Sequence, residues 1–119
     1  MPVRLLTSSV LAWPRPADVL AAAAVWARRQ VAERPTVARV GVFGSYARGN
    51  AGFGSDLDLV AIVREADEPF ERRAASWPFE ELPVPAELLI YTLGEWDALM
   101  ASGTRFARAL RDEVRWLVA

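Results

Sequence analysis

Among its 119 residues the chain has no cysteine, no histidine and no lysine; all 14 of its basic residues are arginine. Without cysteine there are no disulfides, no thiol nucleophile and no zinc-thiolate site. Without histidine there is no Ser-His triad and no imidazole metal ligand, and without lysine no Walker loop ending in Gly-Lys-Ser/Thr and no Schiff base. The chemistry left open is that of carboxylates, hydroxyls, arginine and backbone. Long apolar runs are also scarce. The best, "VLAAAAVWA" at 19–27, falls well short of the ~20 residues a membrane span needs. The start, "MPVRLLTSSVLAWPRP", is broken by Pro14 and Pro16 and does not read as a secretory signal, so a cytoplasmic protein with no membrane partner is expected.

What is present is a globular composition: 53% apolar, 10% aromatic and 24% charged, at a length that suits one compact domain over 1–119. The net charge of −1 conceals a segregation, with residues 1–49 at +5, residues 50–100 at −8 and residues 101–119 at +2. An acidic centre suits cations and is a poor fit for nucleic acid held by its phosphates.

Helix and strand signals alternate along the chain. Pro16 and Asp18 open an Ala-rich helix running to about Glu33 and stopped by Pro35. "TVARVGVF" at 36–43 is β-branched and predicts a strand ending at Gly44, after which Ser45 can cap a short helix through "SYARG". "GNAGFG" is a loop, and "SDLDLVAIV" at 55–63 is a strand apolar on both faces and therefore central. The stretch at 68–82 reads as mixed helix and loop, with the charges from Arg64 to Arg73 on a solvated edge. A strand at 87–92, a helix in "LGEWDALMAS", another in "TRFARALRD" and a last strand in "EVRWLVA" complete a mixed α/β chain with helices packed on a sheet. The five tryptophans read as core or interface anchors, since base stacking needs a basic groove.

Side chains two apart on a strand share a face, so Asp56 and Asp58 are expected side by side at the mouth of the central strand. Two such carboxylates repel unless they share a proton or a cation. With only hard oxygen ligands on offer, Mg²⁺ is the ion they suit, and it completes its shell with water and substrate phosphates. The preceding strand end supplies a place for phosphates: Gly44 lets the backbone approach closely, Ser45 offers a hydroxyl, and Arg48 lies one helical turn on. A flexible turn with two solvated acids, and a surface ion pair for Arg48, are the bland alternatives.

"GSYARG" at 44–49, then six residues, then "DLD" resembles the G-S-x(n)-D-x-D signature of the DNA polymerase beta nucleotidyltransferase superfamily, and the short chain is similar to its minimal nucleotidyltransferases. The resemblance extends to "VPAELLIYTLGEW" at 84–96. It implies an α/β (α+β) fold of polymerase beta type, a mixed sheet of about four to five strands with helices packed on it. It implies that Gly44 and Ser45 hold the triphosphate of a nucleotide, that Asp56 and Asp58 bind metal in a two-metal Mg²⁺ site, and that a third acid joins the second metal and helps deprotonate the acceptor hydroxyl. That position is Glu87, where Asp is the family's usual residue. The extra methylene moves a carboxylate by ~1.5 Å, a shift to which near-attack geometry is sensitive.

The function expected on this resemblance is transfer of a nucleoside monophosphate, AMP from ATP, to an acceptor hydroxyl. With no appended helical domain, the acceptor is expected on a protein partner or complementary subunit, a homodimer included. Minimal members are often paired with a HEPN-domain toxin, as antitoxins. The alternative is a catalytically weak binding module that neutralises its partner by contact.

Overall fold

In the computed structural model, residues 13–119 are described; the start of the chain at 1–12, where the expected irregular lead-in falls, lies outside them. Helix α1 (Pro16–Glu33) begins with proline in its first turn and buries Val19, Ala23, Trp26, Ala27 and Gln30, one stripe at helical spacing. Four strands follow: β1 (Val37–Phe43), β2 (Leu57–Val63), β3 (Ala86–Thr92) and β4 (Arg115–Val118). They form one mixed sheet in the order β3-β2-β1-β4. The pairs β1/β2 and β1/β4 are antiparallel and β2/β3 is parallel. The apolar strand expected to be central is interior, flanked on both edges.

The sheet separates two apolar layers. Leu57, Leu59, Ala61 and Val63 of β2, with Leu88 and Ile90 of β3, pack towards α1, Trp26 and Trp77. Val60 and Ile62 face the other way, with Tyr91, Trp96 and Leu110. That second layer is covered by α3 (Leu93–Ala101) and α4 (Arg105–Glu113), and between β1 and β2 lies the one-turn helix α2 (Ser45–Arg48). A capping box opens α3: Thr92 accepts from the Glu95 N–H and the Glu95 side chain accepts from the Thr92 N–H.

A parallel pair cannot be closed by a tight turn, so β2 must reach β3 by a crossover. Here the crossover carries two short 3₁₀ turns: Phe70–Arg72, whose Phe70 ring packs on Tyr91 of the second layer, and Phe79–Glu81, whose Phe79 packs on the α1 side of the sheet. Trp77 is buried there, and the Trp26 indole N–H donates to the Pro78 carbonyl at 3.0 Å. Trp26, Trp77 and Trp96 are core residues, while Trp13 and Trp116 are half-buried.

Arg73 departs from the solvated edge expected of its charge run. Its side chain is only 9% exposed, because the guanidinium turns inward to donate to the Ile90 carbonyl at 3.1 Å and to both Glu95 oxygens at 2.6 and 3.2 Å. Hydrogen bonds from Arg73, then from the Thr92 N–H, hold the Glu95 carboxyl down to about 2. A carboxyl depressed in the folded state stabilises it above the unfolded value, and that contribution fades as pH falls through about 4.5 towards about 2. Thermal melts should therefore drop across this window, and Glu95→Gln should flatten the drop. An identical acid slope in the variant would assign the loss to other carboxylates.

Candidate active site

The site forms where β1 ends and β2 begins. Gly44 follows β1 with φ 75° and ψ −155°, a region essentially reserved for glycine, and so swings the chain out of the ladder into α2. A Cβ on Gly44 would stand 2.2 Å from Asp58 Oδ2, so the bend lies directly against that carboxylate. Ser45 is the first residue of α2 and Gly44 its N-cap, so the serine capping expected from sequence is not what occurs. Tyr46 is buried, and its hydroxyl donates to the Ser55 carbonyl at 3.3 Å, tying the helix to the glycine loop that leads into β2.

Asp58 is the second residue of β2, on the face of Val60 and Ile62, and is half-buried. Glu87 is the second residue of β3 and its in-register parallel partner, so both side chains rise on one face of adjacent strands. Asp56 lies one residue before β2 and is exposed, as is Glu87. Burial pushes the Asp58 carboxyl up, and the charges of Glu87 and then Asp56 push it further, against a smaller opposing effect of Arg48. Asp58 therefore senses both of the other acids picked out in the sequence, although Asp56 and Glu87 are 31 positions apart.

Arg48 is drawn to a residue that the sequence offered only as a charge. Its Nη1 donates to Glu113 Oε2 at 3.1 Å, and the other oxygen of Glu113 accepts from the Gly44 N–H at 2.9 Å. The Gly44 bond, followed by Arg48, holds the Glu113 carboxyl below the usual glutamate range. Glu113 ends α4, 69 positions from Gly44, and no local pattern marks it.

Among the described residues no group of three or more acids is arranged to hold a metal ion as it stands. The donor chemistry nonetheless fits a hard divalent cation. Asp58 is a half-buried carboxylate made less willing to ionise by two neighbouring acids, which is the conflict a shared cation resolves, and Asp56 and Glu87 are exposed side chains free to change rotamer. A cavity of about 340 Å³ lies at the other end of the sheet among Arg34, Thr36, Val63, Arg73 and Trp77, and holds none of these residues.

A glycine bend pressed on an acidic rim of a mixed sheet is the architecture of a group-transfer site built on carboxylates and backbone. The family comparison gives the class its name: residues 25–113 match the nucleotidyltransferase domain model, so the chain belongs to that family and is by class a nucleotidyltransferase. Among solved structures it is similar to a Sulfolobus solfataricus protein provisionally named a nucleotidyltransferase, with TM-score 0.57 and 20% identity over 70% of this chain and 75% of that one. It is also similar to a chain of a toxin–antitoxin structure with AMP-PNP, with TM-score 0.50 and 14% identity over 79% of this chain and 71% of that one. At these identities the two structures establish the fold. Curated proteins give no match. Among the described residues no helix is long and apolar enough to cross a membrane.

Proposed function

We propose that the protein transfers a nucleoside monophosphate, AMP from ATP, to a hydroxyl on a partner protein. The observation that carries this reading is the contact of the Gly44 bend with Asp58, whose register partner is Glu87. It supports the reading because the bend that would receive phosphate bears directly on an acid with a second acid beside it. Gly44, Ser45 and Arg48 would receive the triphosphate, the backbone at close range and the guanidinium as a charge-assisted donor. Asp56, Asp58 and Glu87 would hold Mg²⁺ in a two-metal arrangement, which when bound supplies charge stabilisation to the attacking and leaving oxygens.

In the reaction the acceptor oxygen forms a bond to the α-phosphorus as the bond to the pyrophosphate oxygen breaks. Pyrophosphate leaves with that electron pair, and the hydroxyl proton passes to a carboxylate, the role that the family resemblance gives to Glu87. The toxin–antitoxin neighbour supports a toxin as acceptor, of HEPN type by the family resemblance. A second reading, neutralisation by contact alone, is favoured by Glu87 standing where Asp is usual.

Calorimetry comes first: Mg-ATP should release heat, and ATP with a chelator should not. Labelled ATP, Mg²⁺ and a cognate helical partner should then yield labelled acceptor with the wild type and none with Asp56→Asn. Label that persists in Asp56→Asn would refute the site, and partner binding without label from any triphosphate would favour the contact reading.

A further inference from the structure

We infer that Glu113 is a positioning residue, which holds the Gly44–Arg48 bend in its nucleotide-accepting shape by bonding both ends of it with one carboxylate. The inference rests on the nucleotide reading above and adds to it a residue outside the acidic cluster.

Gly44 is where the β1 ladder stops: Val42 pairs with Arg115 and Phe43 with Asp58, and the next residue turns away. Its N–H is left without a strand partner, and Glu113 Oε1 takes it at 2.9 Å. Four residues on, the Arg48 guanidinium reaches the same carboxylate through Nη1 at 3.1 Å. One side chain thus spans the whole one-turn helix that carries Ser45. Isolated, so short a helix has no stability of its own, since nucleation fixes several residues for a single hydrogen bond.

An ordinary surface ion pair would not have this effect. Such pairs contribute little because both partners sample many rotamers. Glu113 is 22% exposed and Arg48 48%, and the glutamate is anchored by a backbone donor as well as by the arginine. Its main chain is equally constrained, being the last residue of α4, with β4 starting two residues later in fixed register on β1. The path from β4 through Glu113 to Gly44 and Arg48 is continuous. Arg48 offers its half-exposed guanidinium to a phosphate while Nη1 stays tethered.

The test is calorimetric titration of Mg-ATP into wild type, Glu113→Gln and Glu113→Ala, each at a temperature well below its melting point. Glu113→Ala removes both bonds and should weaken binding about tenfold or more, as expected for losing charge-assisted hydrogen bonds. Glu113→Gln keeps an acceptor for the Gly44 N–H and should fall between. A role in stability alone would lower the melting point and leave the affinity of the folded protein unchanged, which would overturn the inference. Tighter binding by Glu113→Ala would also overturn it, since the carboxylate would then be occupying the phosphate position. Should Glu113→Ala fail to fold, wild-type affinity in Glu113→Gln would be decisive against it. A wild type that binds no Mg-ATP refutes the nucleotide reading itself, a result distinct from all of these.

Discussion

Asp58→Asn is expected to cut nucleotidyl transfer by about a thousandfold and, in metal-free buffer near neutral pH, to raise the melting temperature. The loss follows from removing one charged group from an electrostatic site, where single deletions cost ~10²–10³ in rate. The gain in stability comes from the same charge: Asp58 is half-buried, and burial, then Glu87, then Asp56 all oppose its ionisation. Asparagine keeps the shape and drops the charge. The sign is opposite to that of Glu95. A carboxyl pushed up in the folded state penalises folding while ionised, so the advantage of the variant should shrink as pH falls towards the ordinary value of 3.8. Mg²⁺ should raise the melting point of the wild type more than that of Asp58→Asn, because a cation stabilises only the form that binds it. A variant less stable than wild type without metal would show that the three acids do not strain the fold. Such a trade between stability and activity is common where active sites hold like charges together.

Gly44→Ala should be damaging twice over. The backbone at φ 75°, ψ −155° costs a side-chain-bearing residue about 1–3 kcal/mol. The added Cβ would also collide with Asp58, at 2.2 Å from Oδ2, 3.1 Å from Cγ and 3.3 Å from its Cβ. Relief requires the bend or the carboxylate to move, and a displacement of ~1 Å at a reacting centre is worth ~10² in rate. We expect a lower melting point together with at least a hundredfold loss of transfer. Gly49→Ala is the control. Gly49 is also left-handed, at φ 84°, but its Cβ would meet nothing within 4 Å. It should lose about 1 kcal/mol of stability and retain most activity. Equal losses of activity in the two variants would mean that backbone strain, not the contact with Asp58, governs the site.

What near neighbours fix and what the assembled fold fixes are physically distinct. Elements set by near neighbours could be read directly: α1 from its alanines and bounding prolines, β2 from an apolar run too greasy for an edge, and the Gly44 turn from the break between them. Asp58 could be placed on the central strand, whereas Asp56, expected beside it by strand alternation, lies one residue before that strand begins. Arg73 and the crossover were less legible, because whether a charged run lies in water depends on what the 3₁₀ turns pack against.

By itself the sequence determined which chemistry the protein can hold, carboxylate, hydroxyl, arginine and backbone, and the local order of strand, bend, helix and acids that carries it. Only the tertiary structure decided that Glu87 stands in register beside Asp58, and that Glu113 closes on Gly44 and Arg48 from the far end of the chain. The reason is that strand register and helix docking are fixed by burial of whole faces against one another, a property of the assembled sheet that no window of neighbouring residues contains.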